Sequence, residues 1–136
     1  MTARFQMCRN KGFNAVEPDN IDGYSNHTGL PLTAANQLAY NRWIAATVHS
    51  LGMTVALKND VEQVKALVSS FDFTINEECF AYLECSSLQP FLSAGKAVFE
   101  VEYHLSPSRF CPKANSMNFN SMLKDEDLTA YRVACR

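Results

Sequence analysis

The chain has 136 residues with a formal net charge of −2, from 12 basic and 14 acidic side chains. That balance offers neither the basic footprint of a nucleic-acid binder nor a polybasic membrane patch. No apolar run approaches the ~18 residues of a membrane span, and the first residues lack the apolar core of a signal peptide.

Taken in order, Thr2 to Lys11 reads as the end of a helix, with Phe5 and Cys8 on its apolar side and Gly12 at the C-cap. Phe13 to Val16 reads as a short buried strand that stops at Pro18, which has no N–H to give a sheet. Glu17, Asp19 and Asp22 follow it, in a loop too long for an ordinary strand-to-helix connection. Thr33 is placed to cap a helix over about 34–51, with Leu38, Ala45 and Val48 on one face and Gly52 at its end. Trp43 lies mid-helix, where packing is the favoured role.

A second strand, Met53 to Lys58, ends at Asn59 and Asp60. Asp60 with Gln63 has the spacing of a capping box for a helix over about 61–70. A third strand, Asp72 to Asn76, ends in Glu77 and Glu78, and a helix is expected over about 79–94, interrupted near Pro90. Lys96 to Tyr103 is a fourth strand, on which alternation puts Glu100 and Glu102 on one face. Residues 104–117 read as irregular, Phe119 to Leu123 as a fifth strand, and about 126–134 as a terminal helix.

Strands that alternate with helices and lack polar alternation indicate a parallel sheet covered on both faces. Acids recur at successive strand ends, which is the pattern of a shared active-site rim on a (β/α) barrel. Of the five cysteines, at least one must be free or pair between chains. Cys79 and Cys85 are spaced to close a small loop in an oxidising compartment; buried free thiols are the other reading.

Several stretches then become recognisable together. They are Gly12 to Tyr24 with its Glu17-Pro18-Asp19-Asn20 core, Pro31 to Arg42, Leu57-Lys58-Asn59-Asp60, and Asn76-Glu77-Glu78-Cys79. Phe99-Glu100-Val101-Glu102-Tyr103, Phe110-Cys111 and Leu123-Lys124-Asp125 complete the series. In this order they resemble glycoside hydrolase family 114, whose members are endo-α-1,4-polygalactosaminidase-like TIM-barrel proteins, typically secreted. The resemblance implies a partial (β/α)8 barrel of about five parallel strands, matching roughly the fourth to eighth of the family. A whole barrel takes ~250 residues. An open barrel leaves bare edges and an uncovered inner face, so a homodimer that completes it is expected.

The resemblance also implies a retaining carboxylate pair, Asp19 as nucleophile and Glu77 as acid/base. Tyr24, Lys58, Glu102 and Tyr103 would line the saccharide cleft. That chemistry needs no cofactor. An alternative is a divalent-metal-dependent phosphodiester hydrolase on the same acidic face, using Mn, Zn or Mg. Its ligands would come from Glu17, Asp19, Asp22 and Asp60, and from Glu77, Glu100, Glu102 and the nearby His104. A non-catalytic barrel remnant is a third reading.

Overall fold

The computed structural model describes residues 1–136. Its sheet has six strands in sequential order: β1 (Ala15–Val16), β2 (Thr54–Lys58), β3 (Phe73–Glu77), β4 (Val98–Glu102), β5 (Asn120–Leu123) and β6 (Val133–Ala134). The first five are parallel and β6 is antiparallel to β5. The sheet stays open, with β1 at one edge. The mixed α/β fold is thus the partial barrel expected from the sequence.

Two helices frame the N-terminal half, α1 (Thr2–Asn10) and α2 (Ala34–Ser50). Thr33 caps α2 through the Asn36 amide, and the Asn36 side chain accepts from the Thr33 N–H in return. The buried stripe of α2 is Gln37, Asn41, Ile44, Ala45 and Val48, which carries two amides among its apolar positions. Helix α3 (Val64–Leu67) is shorter than expected, although Val64 and Leu67 are fully buried as the pattern required.

Strand register explains the layering. Leu57 aligns with Thr74, Thr74 with Val98, Asn76 with Glu100, and Glu100 with Ser121. These residues turn toward the helices, where Ile44, Val48, Leu67, Phe71, Phe91 and Phe119 form the core. The other parity, Lys58, Ile75, Glu77, Phe99 and Val101, faces the inner side of the open sheet.

Three expectations need correction. Residues 79–94 are not one helix: the Cys79–Cys85 disulfide closes a turn, a 3-10 segment covers Cys85–Leu88, and α4 covers Gln89–Ser93. Residues 104–117 are not irregular: α5 runs Pro107–Ser116. Pro107 sits where its missing N–H costs nothing, and Phe110 and Ala114, one turn apart, anchor α5 in the core despite Pro112. The terminal helix is absent. Leu128 and Tyr131 stay exposed with no core to receive them, and the Cys111–Cys135 disulfide ties the chain end to α5 while β6 pairs with β5. Cys8 is the free thiol.

Candidate active site

The loop after β1 and the ends of β2 and β3 bring three carboxylates around one ammonium. Lys58 Nζ lies 2.9 Å from Asp19 Oδ1, 2.9 Å from Glu77 Oε2 and 3.7 Å from Glu17 Oε1. Burial alone would lower the Lys58 pKa, but hydrogen bonds to Asp19 and Glu77 overcome it and raise it above the ordinary lysine value. The hydrogen bond from Lys58 holds Asp19 below the usual carboxylate range. Burial pushes Glu77 up, yet the Tyr103 hydroxyl and Lys58 outweigh that push and leave it lowered. Burial leaves Glu17, with its longer contact to Lys58, raised.

Tyr103 donates to Glu77 Oε1, so the two oxygens of Glu77 have different partners. Asn59 Oδ1 accepts from the Glu77 N–H at 2.9 Å and from the Asn76 amide at 3.2 Å, which ties the ends of β2 and β3. Asn20, Asn59, Asp60 and Glu78 all have positive φ, between 46° and 60°. Left-handed residues cost free energy, and their concentration at these strand ends is the strain expected of a functional rim.

Asp60 stands one step further out. Asn41 donates one amide hydrogen to Asp60 Oδ2 and the other to the Ile21 carbonyl, both at 2.9 Å, and accepts from Gln37. The Tyr24 hydroxyl lies 3.3 Å from Asp60 Oδ1 and 3.0 Å from Glu62 Oε2. Burial pushes the Asp60 carboxyl up to about 6 against the pull of these donors. Its side chain therefore does not cap α3; only its backbone carbonyl meets the Gln63 N–H. A cleft of about 290 Å³ opens here, walled by Tyr24, Asp60, Glu62, Glu77, Tyr82 and Glu84.

The sequence-derived residues thus divide. Asp19, Glu77, Lys58, Tyr103 and Glu17 come together, and Tyr24, Asp22 and Asp60 border the adjoining cleft. Glu102 does not line it. Strand parity turns Glu100 and Glu102 to the helix side, and both are fully buried. Glu102 Oε1 instead accepts from the Phe80 and Ala81 N–H groups, holding the loop that follows Glu77. His104 is exposed beside Glu126 at 2.9 Å. No three His, Cys, Asp or Glu side chains gather in a way that could hold a metal ion. Lys58 fills the space among Glu17, Asp19 and Glu77, and the remaining acids point elsewhere.

Sequence reading missed Asn41, Gln37, Tyr82 and Glu84. For the first two a signal existed: amides one turn apart, continuing the stripe of Ile44 and Val48, mark a helix that buries polar groups for a purpose. Tyr82 and Glu84 carry none, because the turn that aims them depends on the Cys79–Cys85 bond, while their local pattern is helical.

Over nearly its whole length the chain superposes on a solved structure of Ega3 from Aspergillus fumigatus, determined in complex with galactosamine, with a TM-score of 0.92 and 32% identity. The match covers 99% of this chain and 59% of that one. The glycoside hydrolase domain of PelA from Pseudomonas aeruginosa shares the fold, with a TM-score of 0.67 at 13% identity over 98% of this chain and 61% of that one. This chain therefore spans about three-fifths of the solved chains it resembles. No curated protein matches it. Residues 1–136 also match the family model of these hydrolases, so the chain that carries this carboxylate rim belongs to glycoside-hydrolase family GH114.

Proposed function

We propose that the site is that of a retaining glycosidase acting on an α-linked amino-sugar polymer of the galactosamine type. The supporting observation is that Asp19 and Glu77, from the loop after β1 and the end of β3, each lie 2.9 Å from the same Lys58 nitrogen. Their nearest oxygens are then within twice that length of one another, in keeping with the ~5–5.5 Å carboxyl separation of retaining enzymes. Asp19, kept ionised by Lys58, attacks the anomeric carbon. Glu77 gives its proton to the leaving glycosidic oxygen, and a glycosyl ester forms on Asp19. Glu77 then takes a proton from water, which attacks the ester and frees Asp19.

Glu77 must hold a proton for the first step, whereas its contacts with Tyr103 and Lys58 favour the ionised form. A sugar that enters between the two acids parts Lys58 from Glu77 Oε2 and removes one of the contacts that lower it. Tyr103 continues to donate to Oε1, so Oε2 is the oxygen that carries the proton. The acids of the adjoining cleft, Asp60, Glu62 and Glu84, suit the ammonium of a 2-amino sugar. Proton NMR of an α-1,4-galactosamine oligomer during cleavage should show the α-anomer first. Initial release of the β-anomer, or no cleavage at any pH, would sink this reading.

Assembly is part of the proposal. The outer edge of β1 has no partner strand, and Phe99 is 38% exposed on the inner face beside Phe73. A second copy would cover that face in a homodimer. Light scattering at micromolar concentration is expected to give twice the 15.2 kDa chain mass, and a monomer mass throughout a dilution series would refute it.

A further inference from the structure

A second cavity, of about 480 Å³, lies between the loop after Asp19 and helix α2, apart from the acidic cleft. None of the side chains that line it is charged. Leu30 and Leu32 form an apolar wall, and Thr28, Asn36 and Gln37 offer hydroxyl and amide groups. Gln37 is only 8% exposed, and its nitrogen is committed to Asn41, which leaves its oxygen to accept from a guest. Asn36 uses its oxygen to cap α2, so its amide hydrogens are free to donate. Tyr40 closes one side and stacks on Trp43, with ring centroids 5.7 Å apart and planes within 16°. Both residues remain more than 40% exposed, an uncommon state for a stacked aromatic pair that serves only packing.

A guest for this cavity must be neutral, must bring an apolar group to the leucines, and must exchange hydrogen bonds with amides. An acetamido sugar has all three: a methyl, an N–H with a C=O, and a pyranose ring whose C–H bonds suit an aromatic face. An ammonium sugar would leave its charge without a counter-ion here. We propose that this cavity is a binding site for an N-acetylhexosamine unit, separate from the acidic cleft. A polymer with both acetylated and free amino groups would place its acetylated units here and its ammonium units in the cleft. Binding here does not require Asp19 and Glu77 to be catalytic.

Trp43 is the only tryptophan of the chain, so its emission reports on this place alone. Titration with an N-acetylgalactosamine trimer should change that emission saturably, with half-saturation on the order of millimolar or tighter. Galactosamine and galactose trimers should bind at least about tenfold more weakly. Gly23→Ala supplies the blocking variant. A methyl there would meet Leu32 at 3.5 Å, Gln37 Oε1 at 3.7 Å and Thr28 at 3.8 Å, narrowing the cavity beside the Gln37 oxygen without a clash. It should weaken binding about tenfold, as should Tyr40→Ala on the exposed helix face. Asp19→Asn should leave it unchanged. Saturation transfer from protein to the acetyl methyl protons supplies a second readout. The proposal fails if neither signal appears, if galactosamine binds as well as the acetylated trimer, or if both blocking variants bind like the parent.

Discussion

Asp19→Asn is expected to lower glycosidase turnover by at least about a thousandfold, the scale of loss when a covalent nucleophile is removed. The amide keeps the volume and one contact to Lys58 but cannot form the glycosyl ester. Glu77→Gln should behave differently. It stops hydrolysis of an ordinary glycoside, whose leaving oxygen needs a proton, but spares attack on a glycosyl fluoride, whose leaving group needs none. The ester on Asp19 should then accumulate and show in the mass of the intact protein, with the peptide containing Asp19 carrying the sugar. No ester in Glu77→Gln, with a sugar on Glu77 in Asp19→Asn instead, would exchange the two roles. Lys58→Met tests the electrostatics between them. Lys58 lowers the pKa of both acids, so its loss raises both. Activity needs Asp19 ionised and Glu77 protonated, so both limbs of the pH profile should move to higher pH. An unmoved profile would show that Lys58 does not set the charge of this pair.

What the sequence disclosed depended on how local each signal was. Strand β2 was legible because Thr54 to Lys58 is a short apolar run, and α2 because Thr33 opens it and Gly52, at φ 73°, follows its end. Helix α5 was hidden because its helicity rests on tertiary anchorage of Phe110 and Ala114, while Pro112 argued locally against it. β6 has only two residues, and its place follows from the pairing of Leu123 with Val133 and from a bond between Cys111 and Cys135, all long-range facts. The resemblance of their stretches to the family named Asp19 and Glu77 together, and the structure brings both to Lys58. That Glu100 and Glu102 share a face was readable from alternation. Which face was not, because it is fixed by the alignment of Glu77 with Val101, and register is a property of two strands.

Those two buried acids lead to a stability effect of opposite sign to the usual one for carboxylates. Glu100 is fully buried beside Ser121, and neither of its oxygens accepts a hydrogen bond of good geometry. Burial, with Glu102 alongside, pushes its carboxyl up to about 9. Folded, Glu100 therefore keeps its proton across neutral pH, where the unfolded chain has lost it near 4.5. The folded state binds the extra proton throughout that window, so the contribution of Glu100 to stability is full below pH 4.5 and is lost as pH rises toward 9. Glu100→Gln supplies a permanent amide donor toward Glu102 at the same size and needs no proton. The variant should be more stable than the parent at pH 8, by at least about 1–2 kcal/mol, and no more stable at pH 4. Denaturant midpoints at the two pH values give the comparison. An equal loss at both would mean that Glu100 shares no proton with Glu102. The effect reaches the site because Glu102 holds the Phe80 and Ala81 N–H groups, and the loop beyond them carries Tyr82 and Glu84 to the cleft wall. A negative charge on Glu100 above pH 9 would act on that anchor, so substrate binding should weaken there in the parent and persist in Glu100→Gln.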